Sequence, residues 1–570
     1  MKKVLIIILG LFLCIGVLPS TISQKFFIND SVLEDTLQDV IPAFIKRTTS
    51  DLKISTIESI SGGISITINN MGAADVSNVI LDVEAESGLF ISLPQKHFEF
   101  GTITAGSSIS QIISIIGFGL GIYTNFPKIT FSLDSYETPP VVGVIVVRII
   151  GSSVSIIGTL FDQGASSQGY SLFQPMWDRK TYLVNNIGNI VHTWASLFPI
   201  SQAAYLLENG NLVRTSLVAH STLLHGGVQG RIEILDWNGK QIWMYEYATK
   251  KYCQHHDVEI LPNGNILLIA WEVKTAKEAI AVGKNPNQLF GFEFWPDHII
   301  EIKPSGLSDV AIVWEWHVWD HLIQEYDPTK DNFGVVEDHP ELIDINYAGT
   351  IADWNHINSI DYNEQFDQIL LSVKMFNEIW VIDHSTTTQE AAGHTGGRYG
   401  KGGDLLYRWG NPEAYQAGDS SDQKFSGQHA ALWIEPGYLR EGNILVFNNE
   451  LEGQGGLYSS VEEIEPPIDE YGFYEHTPGT AYGPDEQCWR YTTPNPTDMF
   501  SDICSSVQRL PNGNTLICSA SQGLFLEVTN EKDIIWQYNN PYPSWFIQKS
   551  VSEIIRYPPN YPGLQNLKLS

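Results

Sequence analysis

The chain has 570 residues, 43% of them hydrophobic and 11% aromatic, which is too long for one ordinary core and too apolar for a disordered chain. It carries 65 acidic residues against 33 basic ones, a formal net charge of -32. That field excludes nucleic acid and an anionic membrane surface as general partners, while an anionic small molecule can still be held by a few cations or imidazoles in a pocket.

The N-terminus reads MKKVLIIILGLFLCIGVLPSTIS, with Lys2 and Lys3 ahead of an apolar run from Val4 to Leu18. Residues 1–23 are therefore expected to be a signal peptide or an N-terminal membrane anchor, and the rest to be exported to the periplasm or outside the cell. Asp35 to Lys46 is expected to form a short helix. From Leu52 onward apolar and polar residues alternate: Ile64, Ile66 and Ile68 around Ser65 and Thr67, a turn at Asn69 to Gly72, then Val79, Leu81 and Val83. Residues 24–160 read as a small β-sandwich, a spacer or interaction module poor in histidine, and the expected place of any homodimer contact.

From Tyr170 to about Tyr557 a phrase recurs: Leu207-Glu208-Asn209-Gly210-Asn211, Leu261-Pro262-Asn263-Gly264-Asn265, Arg440-Glu441-Gly442-Asn443 and Leu510-Pro511-Asn512-Gly513-Asn514. Asn-Gly supplies the positive φ of a tight hairpin. A Trp-bearing strand recurs as well, at Trp243, Trp314, Trp380, Trp409 and Trp536. Repeats of short antiparallel strands at very roughly 50–70 residues predict an all-β fold, a six-bladed β-propeller over 165–557, with 558–570 as a tail. Asp320 to Tyr347, Thr386 to Gly403 and Glu452 to Met499 are expected to be loop insertions shaping a mouth.

Cys253, Cys488, Cys504 and Cys518 define neither a disulfide framework nor a zinc site, although Cys504 and Cys518 flank one turn and could bridge. Three histidines sit in comparable contexts: His256 in QHHDVEILPNGN, His356 in DWNHINSIDYN and His429 in GQHAALWIEPG. Each precedes a strand that leads to a turn, so a propeller would gather them at one end of its axis. Histidine titrates near neutrality and can be nucleophile, base or cationic donor. One such histidine alone reads as a structural residue; three beside Asp257, Asp353 and Asn358 read as a site. His255 is a neighbour or supporting group; His192, His220, His225, His317 and His321 belong to similar edges and could line the mouth, and His384 and His394 flank a loop. No metal-ligand spacing, phosphate loop or dinucleotide fingerprint appears, so neither metal nor cofactor is expected.

These phrases together, with YLVNNIGNIVHTW at Tyr182–Trp194 and SVQRLPNGNTLI near the end, resemble the arylsulfotransferase family, the PAPS-independent aryl-sulfate sulfotransferases. The resemblance implies a six-bladed propeller behind a sandwich-like domain. It also implies ping-pong transfer of a sulfuryl group from a phenolic sulfate ester to a phenol, with His429 as the sulfohistidine nucleophile. His356 and His256 would contact the sulfuryl and phenolic oxygens, and Asn358 would bind substrate. The family's arginine is replaced by Lys374, which keeps the charge but loses the bidentate fork. Arg408 or Arg490 could supply it instead. Two other readings stay open: a secreted non-catalytic propeller for binding or adhesion, and an aryl-sulfatase-like hydrolase or metal- or quinone-dependent enzyme on the same scaffold.

Overall fold

The computed structural model describes residues 51–567 apart from 87–90, 121–126, 163, 200, 220, 349–350 and 544–548. The leader at 1–23, the helix expected at 35–46 and His220 lie outside the described residues. The described chain is nearly all-β, 48% strand with two short helices, Ala276–Ala281 and Thr388–Ala391.

The first strands form two sheets on one core. Leu52–Ile60, Gly63–Asn70 and Ser108–Ser114 make one of them. Val76–Ala85, His97–Ile103, Lys128–Asp134, Val141–Gly151 and Ser153–Asp162 make the other. The alternating isoleucines Ile64, Ile66 and Ile68 are fully buried between them, with Val79, Leu81 and Val83 opposite. Their polar neighbours face out, as period-2 alternation requires.

Six four-stranded antiparallel sheets follow in chain order. Sheet I holds Tyr170–Pro175, Lys180–Asn185 and Ile190–Ala195, and is completed by the C-terminal strand Val551–Tyr557. Sheets II to VI begin on Ala204–Leu206, Tyr252–Ile260, Ile357–Asn363, His429–Trp433 and Ser506–Arg509. The strand pairing Tyr170 with Tyr557 joins the two ends of this run. Apolar clusters lie in each seam. Leu172 and Leu206 meet between I and II, Val213 and Val258 between II and III, and Trp316 and Ile369 between III and IV. Phe447 and Ile517 meet between V and VI, and Phe525 and Phe173 between VI and I. Burying each such side chain is worth roughly 1.5–3 kcal/mol, so the arrangement needs no covalent closure. Among the described residues all cysteines are free, which removes the bridge considered between Cys504 and Cys518.

The recurring turn phrase joins the first and second strands of sheets II, III, V and VI, with Gly210, Gly264, Gly442 and Gly513 at φ 83–86°. Its last asparagine has a second use. Asn265, Asn443 and Asn514 donate their side-chain amides to Glu301, Glu463 and Glu527 on the third strands, at 2.5, 2.7 and 2.8 Å. In these three repeats the turn is thereby tied across its own sheet.

Two relations were not expected. Ser153–Asp162 pairs with the outer strand of sheet VI, Leu160 opposite Tyr538 and Asp162 opposite Trp536, so the N-terminal domain continues the last sheet. The stretch 452–499, read as a loop, carries strands Gly456–Ile464 and Trp489–Tyr491 of sheet V. Its glycines and prolines flank those strands, and composition averaged over the whole stretch hid them.

Candidate active site

The first strands of sheets III, IV and V are kinked at or beside a histidine, within the strand in III and at its start in IV and V. His256 has φ 51°, His356 φ 55° and Ala430, next to His429, φ 53°. The strand registers slip between Gln254 and Val258, between Ile357 and Ser359, and between His429 and Leu432. Such bulges re-aim side chains. A non-glycine residue held at positive φ costs on the order of 1–3 kcal/mol, which is tolerated where the surroundings fix it.

The kinks turn the three imidazoles toward one another. His256 and His356 have ring centroids 4.6 Å apart, and His256 and His429 are 6.5 Å apart. All three are buried. His256, Asn358 and His429 line a cavity of about 50 Å³ together with Cys504, Ser505 and Ser552. His256 packs so closely on the preceding loop that a Cβ on Gly227 would lie 1.9 Å from its ring.

The partners of each ring fix its protons. His429 Nδ1 lies 2.9 Å from Asn449 Oδ1 and 3.0 Å from the Gly427 carbonyl oxygen. Asn449 cannot turn its amide, because its Nδ2 donates to the carbonyls of Ser501 and Cys504 at 2.9 and 3.0 Å. Both partners of Nδ1 accept only, so Nδ1 carries the hydrogen and Nε2 a bare lone pair. Burial, then Lys374, pushes the His429 pKa down to about 3, so the ring is neutral at neutral pH.

His256 has the opposite arrangement. Its Nδ1 lies 2.8 Å from Nδ1 of His255, whose Nε2 lies 3.1 Å from Asp297 Oδ1. Burial, then the Asp353 charge, raises Asp297 well above the usual carboxylate range. When Asp297 carries the proton, His255 accepts at Nε2 and donates from Nδ1 to His256, which leaves His256 an N–H at Nε2; an ionised Asp297 reverses both bonds. Burial pushes His255 down to about 3 and His256 well below its ordinary value, with the neighbouring histidines adding to the latter. His255 also stacks on Trp271 at 4.1 Å, and so positions His256 without facing the cavity.

His356 rests on a carboxylate. Its Nδ1 is 2.5 Å from Asp353 Oδ2, and Nδ1 of His225 is 2.6 Å from the same oxygen. Trp271 Nε1 donates to Asp353 Oδ1 at 2.8 Å. Burial opposes the Asp353 charge, but His356 and His225 hold it below the usual carboxylate range. The hydrogen bond to Asp353 raises His225, whose side chain is 40% exposed and forms the rim. Nδ1, Nδ1 and Oδ2 converge here, yet both histidines have Nε2 uncommitted and can donate to Asp353 together, so hydrogen bonds account for the cluster without a metal.

Lys374 follows the second strand of sheet IV and its backbone N–H donates to the His356 carbonyl at 3.2 Å. Among the described residues no carboxylate lies within ion-pair distance of its Nζ, and its charge acts on His429, His256 and His225. Asn358 donates Nδ2 to the Gln428 carbonyl at 2.7 Å, and its buried Oδ1 has no partner among the described residues. Arg408 is not brought to the cluster: it is fully buried, bonded to Glu378 and to the carbonyls of Pro340 and Leu342. Arg490 pairs with Glu462. Neither restores the forked cation.

Further along the same strands the axis turns acidic. Asp257, Glu259, Asp361 and Glu553 are half-buried, and desolvation raises Asp257 to about 6 and Asp361 to about 7. Tyr205 donates to Asp257 at 2.6 Å. Asp257 and Glu553 line the same cavity as His256, Asn358 and His429.

Asp297 and Asn449 carry no signal in the sequence beyond the phrase NILVFNNE, whose last asparagine is Asn449; His225, expected only as one of several histidines at the mouth, sits in LLHGGVQG and reaches the cluster through Asp353.

The arylsulfotransferase (ASST) profile matches residues 174–553, most of the chain. The chain belongs to the arylsulfotransferase family. Aryl sulfotransfer, in the family's general sense, is thus its function, and the match spans all six sheets and every residue of the cluster. No curated protein matches the arylsulfotransferase described here. Among solved structures it is similar to a protein of unknown function from Bacteroides caccae (12% identity, TM-score 0.38, covering 69% of this chain and 99% of that one). It is also similar to a streptogramin B lyase (11%, TM-score 0.33, 70% and 94%) and to virginiamycin B lyase from Staphylococcus aureus (10%, TM-score 0.32, 66% and 87%). Likenesses this distant bear on neither substrate nor chemistry.

Proposed function

We propose that this arylsulfotransferase is an exported, PAPS-independent enzyme that moves a sulfuryl group between phenols by a ping-pong route through a sulfohistidine at His429. In this reading the six sheets are the blades of a β-propeller closed by the C-terminal strand, and the N-terminal pair of sheets is a β-sandwich. The observation that carries the proposal is the fixed, neutral tautomer of His429, with Nε2 bare and facing the cavity.

In the first half-reaction His429 Nε2 attacks the sulfur of the aryl sulfate. The N–S bond forms as the S–O bond to the phenol breaks, and the leaving oxygen takes a proton from His356. Asp353 stabilises the imidazolium form of His356 that supplies this proton. His256, as an N–H donor, and Lys374 hold the sulfuryl oxygens where negative charge gathers. In the second half an acceptor phenol enters the vacated space, gives its proton back to His356, and attacks the sulfur as the N–S bond breaks. Splitting the transfer lets one cavity serve both phenols in turn.

The test is a chromogenic aryl sulfate, with and without an acceptor phenol, followed by intact-mass analysis of the protein. Release that rises with acceptor, and a sulfo adduct on wild-type protein absent from His429→Ala, are the expected results. Release into water at the same rate without acceptor makes the enzyme a sulfatase. Undiminished transfer by His429→Ala removes the nucleophile.

A further inference from the structure

A second group of histidines lies outside the catalytic cluster, where the turn after sheet III meets the insertion before the last strand of sheet IV. His321 Nδ1 and His394 Nδ1 are each 2.8 Å from Asp404 Oδ1. The three atoms lie within 4.8 Å of one another. His321 is fully buried and its other nitrogen, Nε2, is 2.9 Å from the Ala391 carbonyl oxygen. That oxygen accepts only, so Nε2 carries the hydrogen and a neutral His321 turns the lone pair of Nδ1 straight at a carboxylate oxygen. Two acceptors at 2.8 Å need a positive charge between them. In this respect the group differs from His225, Asp353 and His356, where both imidazoles are free to donate.

The surroundings hold this arrangement. Trp316 stacks on His321 with an interplanar angle of 10° and donates Nε1 to the Gly403 carbonyl at 2.7 Å. A Cβ on Gly403 would lie 2.7 Å from His321 Nε2 and 2.0 Å from the Ala391 oxygen, so only glycine lets that bond form. A buried imidazole locked by a backbone carbonyl on its far nitrogen is how a protein orients a metal-ligating histidine. His394 is 60% exposed and lines a cavity of about 420 Å³ beside Trp319, Asp320 and His339. That leaves open the side of the cluster facing solvent.

We propose that His321, His394 and Asp404 bind one divalent transition-metal ion, with Zn²⁺ the ion best suited to two imidazoles and one carboxylate. Both imidazole Nδ1 atoms lie 2.8 Å from Asp404 Oδ1, close to the spacing of neighbouring ligands on metal bonds of about 2.0–2.2 Å. The soft-to-borderline nitrogen set disfavours Ca²⁺ and Mg²⁺. The remaining position faces the cavity and takes water. The ion pins the insertion 384–404 to the turn 318–321, a structural task separate from sulfuryl transfer.

The experiment uses the full-length protein, stripped with EDTA, desalted, and titrated with Zn²⁺ by calorimetry, with zinc retained after gel filtration measured by elemental analysis. One equivalent per chain is expected, with binding weakened about tenfold or more in His394→Ala and in Asp404→Asn, since each removes a ligand. His394 is exposed, so its variant keeps the fold, and aryl sulfotransfer by that variant should be unchanged. Absence of a retained equivalent in the wild type overturns the proposal and leaves a proton between His321 and Asp404. Stoichiometric binding that survives His394→Ala but is lost in His225→Ala puts the ion on the catalytic cluster and overturns it equally.

Discussion

Nδ1 of His429 donates to Oδ1 of Asn449 across 2.9 Å, and Asn449 is itself locked by two backbone carbonyls. Residues 20 positions apart thereby decide which nitrogen meets the substrate. Asn449→Leu should lower kcat on the order of 10²-fold or more through the lost tautomer control, with a smaller effect on KM for the donor. Asn449→Asp keeps an acceptor at Nδ1 and adds a charge that raises the His429 pKa from its value of about 3. The acid limb of its pH–rate profile should therefore move to higher pH. A limb that stays in place argues that Asn449 does not govern His429.

Asp353 should matter most where the phenol leaves badly. Asp353→Asn removes the carboxylate that supports a proton on His356. Rates for sulfate esters of weakly acidic phenols should fall by on the order of 10²–10⁴, and those of strongly acidic phenols much less. A uniform loss across leaving groups would point to a packing defect and not to proton transfer.

Lys374→Arg should retain or raise activity, because a guanidinium can grip two sulfuryl oxygens where an ammonium offers one point charge. Lys374→Met should lower kcat/KM strongly. Steady-state kinetics with an aryl sulfate distinguish the two, and total loss in the arginine variant would mean that the space has been reshaped around lysine.

Gly227→Ala tests the packing behind His256. The new methyl would overlap the imidazole, at a backbone φ of 87° that disfavours any side chain. The variant should be destabilised by about 1–3 kcal/mol in urea unfolding and should lose most of its activity as the ring is displaced. Activity within twofold of wild type would show that the ring has room to move.

His384 gives a pH signature of stability away from the site. It bonds Asp367 at 2.7 Å and Glu301 at 3.1 Å; burial opposes its charge, but the two carboxylates raise its pKa to about 9. A raised pKa means that its contribution is fully present below the unfolded value near 6.5 and is lost as pH rises through 9. The stability difference between wild type and His384→Gln should be flat below pH 6.5, at most about 3 kcal/mol, and should shrink toward pH 9. Thermal or urea unfolding at pH 6, 8 and 10 measures it.

Several features were legible in the amino-acid sequence because they are local. The Asn-Gly turns require positive φ within a few residues, and the alternating isoleucines of the first domain follow from strand periodicity. The three histidines were found by their shared position before a strand. By contrast, the strands inside 452–499 are hidden among turn residues, and Arg408 reads in the sequence as one of two cations that could serve the site because nothing there shows that Glu378 faces it.

The sequence by itself thus determined an all-β chain with repeated hairpins, membership of the arylsulfotransferase family, and His256, His356 and His429 as the residues to watch. Only the tertiary structure decided which of their nitrogens carry hydrogens. That depends on Asn449, on Asp297 acting through His255, and on Asp353 shared with His225, partners contributed by different strands and loops. A proton's place on an imidazole is set by whichever acceptor or donor lies within about 3 Å, and distances between segments far apart in the chain exist only once the sheets have closed on one another.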